Sequence, residues 1–187
     1  PLSIFVPMNK EEMLTYAVDF ETYYDKHCSI RILGPMGYFS HADFDAYMVS
    51  VVGSDGFEWV GDPKKFNWHM LKGHRVLSHN ASFDETLYLF GANKGWWDLI
   101  EVGEWLCTAD MVAHCGLPRS LKNSTAEVFN LEVSKTTRDS MLGKQWDSMT
   151  PDFKKEVEEY ALKDSELCLQ LWDRLKEGWP ETEREIS

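Results

Sequence analysis

The residues of this chain that could do chemistry are carboxylates at particular spacings. Asp19 and Glu21 lie two apart beside the apolar Ala17-Val18. Strand side chains alternate, so on a strand both would emerge on one face. Two carboxylates together cost free energy unless a cation or a proton sits between them, and a hard divalent ion such as Mg²⁺ takes oxygen ligands of this kind. Taken alone, Asp-x-Glu is more often a solvated strand end. Asp84 follows Ser78-His79-Asn80-Ala81-Ser82-Phe83, where a strand is expected to run into a helix. An acid in a first helical turn is already favoured by the helix dipole, and Asn80 reads first as a cap. Tyr160 and Asp164 are four apart, hence on one face of a helix. That face also carries Val157, Leu167 and Leu171. An aspartate on an apolar stripe needs a partner, which a metal would supply, unless it sits wet at the edge. Tyr160 by itself is more often a core residue.

The elements that must position these groups follow from pattern. Leu14–Phe20 reads as a buried strand. Ala46–Val52 and Phe57–Val60 read as two strands joined through Ser54-Asp55-Gly56 in a hairpin. Pro63–Leu71 reads as a short helix opening with proline, Arg75–Ser78 as a strand, and Ala81–Phe90 as a helix. Cys107–His114 and Ser120–Phe129 read as helices separated by Gly116 and Pro118. Thr150-Pro151-Asp152 opens a long helix, with apolar residues at helical spacing until Gly178. Strands first and helices later predict an α/β domain, a mixed sheet with helices packed on it.

In order, Asp19-Phe20-Glu21, Asn80-Ala81-Ser82-Phe83-Asp84 and Tyr160-Ala161-Leu162-Lys163-Asp164 resemble the three exonuclease motifs of the DEDD superfamily, in its tyrosine-containing branch: D-x-E, N-x-x-[FY]-D and Y-x-x-x-D. The likeness continues in Cys107–Ala113, in Ser120-Leu121-Lys122-Asn123 and in Tyr160–Trp172. The last looks like the equivalent stretch of proofreading domains in family A DNA polymerases. It covers about Leu14 to Trp172. The resemblance implies an RNase H-like fold and a 3′–5′ exonuclease that hydrolyses phosphodiesters at DNA 3′ ends with two Mg²⁺ or Mn²⁺ ions. It implies that Asp19, Glu21 and Asp164 hold one ion, that Asp19 and Asp84 contact the second, and that Tyr160 orients the attacking water. Thr22, Asn80 and Phe83 would contact the terminal nucleotides. Two departures bear on substrate grip: Asp25 stands where relatives place an apolar residue, and Cys107 where many have aspartate. Two other readings remain open, a stand-alone trimmer of RNA 3′ ends and a structural module without activity. Retention of all four acids and the tyrosine speaks against the second.

The 187 residues, 43% hydrophobic and 13% aromatic, suit one domain over the whole length, with its core at about 14–177. Four scattered cysteines without a C-x-x-C pair exclude a disulfide framework or structural zinc and imply reduced thiols in an intracellular, cytoplasm-like compartment. No apolar run reaches membrane-spanning length. The start Pro1–Val6 lacks a basic leader, so no signal peptide is expected, and a first residue other than methionine reads as processing or as excision from something larger. Gly178-Trp179-Pro180 with its charged tail reads as a domain boundary, with a polymerase as the expected continuation. The net charge of −12 argues against coating duplex nucleic acid but not against gripping a few unpaired nucleotides at one 3′ end. Two divalent ions would bring −12 to −8. The stretch Arg119–Lys144 carries five basic and three acidic residues, either a phosphate-facing edge or a solvated helix face.

Overall fold

The structure is a computed structural model that describes residue 9 and residues 12–132 and 136–184. Pro1–Val6 and Lys135 lie outside the described residues. Five strands form one mixed sheet in the order β3-β2-β1-β4-β5: β1 (Thr15–Thr22), β2 (Ala46–Gly53), β3 (Glu58–Gly61), β4 (Arg75–Ser78) and β5 (Glu104–Cys107). β2 runs antiparallel to β1 and β3, whereas β4 is parallel to β1 and β5 parallel to β4. The hairpin turn falls at Ser54-Asp55-Gly56; Gly56 has φ +86°, a conformation that glycine adopts without steric cost. The helices are α1 (Ile30–Phe39), α2 (Ala81–Asn93), α3 (Thr108–His114), α4 (Leu121–Phe129), α5 (Thr136–Met141), α6 (Pro151–Leu175) and α7 (Glu181–Arg184).

Alternation along β1 divides the core between the two faces of the sheet. Phe20 points to an aromatic layer, where it stacks on Trp68 and Trp97, with Tyr88, Phe39 and Phe90 of α2 and α1 beyond. Ala17 points to the other layer, with Leu77, Leu106, Met111, Leu171 and Trp172 of β4, β5, α3 and α6. Cys28, Cys107, Cys115 and Cys168 are all free thiols, and all but Cys115 are buried. No helix among the described residues is long and apolar enough to cross a membrane.

Three expectations need correction, and one helix has no counterpart among them. Pro63–Leu71 is two short 3₁₀ turns, Pro63–Lys65 and Trp68–Leu71, rather than one helix. Extended backbone at Phe66 lets Phe66 and Trp68 both enter the aromatic layer. Cys107 ends strand β5 rather than opening a helix, because it pairs with Ser78 of β4 as Trp105 and Leu106 pair with Val76 and Leu77, and the helix begins at Thr108. Helix α1 escapes a periodicity reading because Gly34, at φ +68°, and Pro35 break it in the middle. The last helix ends at Leu175, with a 3₁₀ turn carrying the chain on to Gly178.

Candidate active site

β1 is longer than β4, and the site is built on the excess. The β1–β4 ladder pairs only Thr15, Tyr16 and Ala17 with Arg75, Val76 and Leu77. Past that point β1 loses its neighbour, and side chains take over its exposed edge. The Ser78 hydroxyl donates to the Val18 carbonyl at 2.7 Å, and the Phe20 N–H donates to Oδ1 of Asp84 at 3.1 Å. Asp84 sits in the first turn of α2 and is only 3% exposed. Its burial is thus tied to satisfying a strand N–H that β4 does not reach.

From the opposite face α6 brings Tyr160 and Asp164. Its N-terminus is fixed by Pro151 and by the Thr150 side chain, which accepts the Phe153 N–H. Its register on the sheet is fixed by a buried polar contact. The Ser50 hydroxyl donates to the Ala161 carbonyl at 2.8 Å and lies 2.7 Å from the Ser165 hydroxyl. Ser50 is the cross-strand partner of Asp19 and Ser165 adjoins Asp164, so this contact sets Asp164 against Asp19. Asp19 and Glu21 share the α6 face of β1.

The four acids lie close enough to act on one another's charge, and Asp19 is the one that acts on or is acted on by each of the rest. Burial and the charge of Asp164 raise the Asp19 carboxyl to about 7. Burial and the charges of Asp19 and Asp164 hold Glu21 well above the usual carboxylate range. Burial and Asp19 do the same to Asp84, against the Phe20 N–H, which lowers it. Burial raises Asp164 to about 6, against the Tyr160 hydroxyl and Arg138. Two neighbours offset part of the repulsion: the Tyr160 hydroxyl, one helical turn from Asp164, and the positive charge of Arg138 both favour the ionised acids. Among the described residues no three Asp, Glu, His or Cys side chains are drawn together as a ready ligand set.

The donor atoms are hard oxygens. Cys168 lies beneath Asp19 and Asp84, but burial holds its thiol protonated and it contacts the Thr108 hydroxyl at 3.2 Å. Such a set fits Mg²⁺ or Mn²⁺ better than softer metals. A pocket of about 330 Å³ opens beside Tyr160 and Asp164, lined also by Thr137, Leu131, Lys163 and Leu167.

The remaining expected residues differ in what they offer. Asn80 occupies the N-cap position of α2, yet its side chain makes no capping bond and it is exposed. The capping role expected for it is not used. Phe83 packs edge-on against Phe39, their centroids 5.7 Å apart, and stays partly exposed. Thr22 is 8% exposed and its hydroxyl is 2.8 Å from that of Tyr38, so this side chain is committed to the interior. Asp25 organises the loop after β1, accepting from the Tyr23 hydroxyl and the His27 and Cys28 N–H groups, which lower its carboxyl to about 2. Cys107 is buried at the end of β5 against Ala81 and Ala109.

Sequence reading missed Arg138. The guanidinium lies near Tyr160, Tyr24, Glu21 and Asp19, and its backbone carbonyl accepts from the Tyr24 hydroxyl at 2.8 Å. The only sequence signal was the basic character of Arg119–Lys144, which does not say which cation reaches the acids. Compared with known proteins, the sequence matches no family model, and no curated protein shows significant similarity to it.

Proposed function

We propose that this chain is a metal-dependent 3′–5′ exonuclease of the tyrosine-containing DEDD type with an RNase H-like fold, removing nucleotides from DNA 3′ ends in the manner of a polymerase proofreading domain. The observation that carries the reading is the electrostatic coupling of Asp19, Glu21, Asp84 and Asp164, drawn from β1, α2 and α6, with Tyr160 one helical turn from Asp164. The mixed five-stranded sheet with helices on both faces is compatible with the fold that the motif order implies.

Two divalent ions on such acids supply Lewis acidity to a water nucleophile and to the leaving oxygen of an in-line displacement. Asp19, Glu21 and Asp164 are the residues that would hold one ion, and Asp19 and Asp84 the other. Asp19 is the acid electrostatically coupled to all the rest, which suits a ligand shared between two ions. Burial and the surrounding carboxylates push the Tyr160 hydroxyl far above its ordinary range. It therefore stays protonated, and its part is to orient a nucleophile by hydrogen bonding rather than to remove a proton. Exposed Asn80 and partly exposed Phe83, one turn apart at the start of α2, offer an amide and a ring to an unpaired nucleotide.

The test is incubation with single strands of DNA and of RNA, labelled at either end, with Mg²⁺ and with chelator. Loss of nucleotides from DNA 3′ ends that needs the metal supports the reading. A preference for RNA would reassign the substrate. Inactivity on every strand, with metal present, would leave a structural module.

A further inference from the structure

Resting on that reading, we infer that Arg138 is the phosphate-gripping residue of the site, holding the phosphodiester of the terminal nucleotide against the carboxylate cluster. Three observations converge on it. Helix α5 packs against α6, and the Tyr24–Arg138 carbonyl bond, 2.8 Å long, fixes α5 to the segment that follows β1. Arg138 therefore sits on a short helix held between the two elements that carry Asp19, Glu21, Tyr160 and Asp164. The charge of the guanidinium acts on Asp19, Glu21 and Asp164, and the residue stays exposed to solvent, so a ligand entering from outside meets it. Thr137, the residue before Arg138 on α5, lines the pocket of about 330 Å³ together with Tyr160 and Asp164, so this helix borders the open side of the site.

Charge decides what this arginine is for. Four ionised acids and two divalent ions cancel, and a neutral site has little hold on an anion. Arg138 leaves one positive charge, equal to the one negative charge of a phosphodiester. A guanidinium also matches two phosphate oxygens with two parallel N–H donors. Two other cations of the basic stretch are used elsewhere: Arg119 pairs with Asp110, and the Lys144 ammonium lies 4.3 Å from the Phe153 ring centroid. If Arg138 served only as a counter-ion to the acids, metal ions would displace its role entirely.

The two roles agree on the metal and differ on nucleotide affinity once the metal is bound, which makes them separable. Binding of Mn²⁺ alone, and of a nucleoside 5′-monophosphate in saturating Mn²⁺, is measured by calorimetry on wild type, Arg138→Ala and Arg138→Lys. Nucleotide binding should weaken roughly ten- to a hundredfold in Arg138→Ala, the range of a lost charge-assisted contact, and should partly recover in Arg138→Lys. Mn²⁺ should bind Arg138→Ala as tightly as wild type or more tightly, because a neighbouring positive charge has gone. On labelled single strands KM should rise more than kcat falls. Unchanged nucleotide affinity in the alanine variant would overturn the assignment while leaving the nuclease reading intact. Parallel loss of Mn²⁺ and nucleotide would reduce Arg138 to a structural residue. Wild type that binds neither would defeat the underlying nuclease reading instead.

Discussion

Removing one charge from the acid cluster should stabilise the protein when no metal is bound, and the effect should depend on pH with a definite sign. In an unfolded chain the carboxyls titrate near 4. In the folded protein Asp19 is held up to about 7 and Asp164 to about 6, with Glu21 and Asp84 also raised. Between those limits the folded state binds more protons than the unfolded state, so stability falls as pH rises from about 4 towards 7. For Asp19 alone, the rise from 3.8 to about 7 corresponds to roughly 4 kcal/mol at about 1.36 kcal/mol per unit. That is an upper bound, because the acids share one set of repulsions and Asp19 is partly open to solvent. A fall of about 2 kcal/mol from pH 4.5 to 7.5 in chelator is the expected size. Asp84→Asn keeps the shape of the side chain and an acceptor for the Phe20 N–H, while removing a charge that presses on Asp19. It should be more stable than wild type by about 1 kcal/mol at pH 7.5, and the advantage should vanish near pH 4.5, where wild-type Asp84 is protonated. His79, which burial lowers, acts in the opposite direction near pH 6. It is common to both proteins and cancels in their difference. Urea melts of both proteins in chelator across this range, then with a Mn²⁺ series at pH 7.5, measure all of it. The metal should stabilise wild type by about 1.4 kcal/mol for each tenfold of excess over its binding constant, and the variant less. Chelated wild type that gains stability from pH 4.5 to 7.5, with Asp84→Asn weaker than wild type at the upper end, would show that the four acids do not share a site.

Asp19→Ala, or chelation of wild type, should abolish nuclease activity, because Asp19 is the acid electrostatically coupled to all the others; substantial turnover by purified Asp19→Ala would defeat the two-ion assignment. Tyr160→Phe should slow single-turnover hydrolysis by ~10²–10⁴-fold with Mn²⁺ binding nearly intact, and equal rates would return Tyr160 to the core. Digestion should start at 3′ ends and prefer unpaired termini, since a chain of net charge −12 has little hold on a long duplex; release of mononucleotides from the 5′ end of a strand whose 3′ end is blocked would be the contrary result. Tyr47→Phe should stabilise the protein by about 1 kcal/mol in a denaturant melt, because the Tyr47 hydroxyl is buried without a hydrogen-bond partner among the described residues, in a residue 6% exposed; a loss of stability would mean that the hydroxyl has a partner after all.

The sequence disclosed groups and elements unequally. β2, β4, α2, α4 and α6 were legible because each advertises itself locally: a turn triplet, an apolar run between breakers, a cap with proline behind it. β5 was not, since four residues have too little periodicity to outweigh the helical Thr108–His114 that follows, and only pairing with β4 makes them a strand. The acids were legible as types at spacings, and their order along the chain supplied the rest. Their meeting was not, because it depends on contacts between residues far apart in sequence. Ser50 and Ser165 look like ordinary polar residues in β2 and α6, yet their contact, 115 residues apart, sets α6 over β1. Arg138 could not be singled out among five basic residues, since its place depends on Tyr24.

The same geometry explains why the acids tolerate being buried. An aspartate buried for chemistry alone would cost stability with no return in the folded chain. Asp84 has a structural partner as well, since it closes the β1 edge where β4 stops. Asp19, Glu21 and Asp164 meet burial and one another's charge by holding protons more tightly than free carboxyls do. A divalent ion must displace those protons, and so should bind more tightly as pH rises past the value near 7 at which Asp19 ionises. The acids can thus wait partly protonated and exchange those protons for a divalent ion.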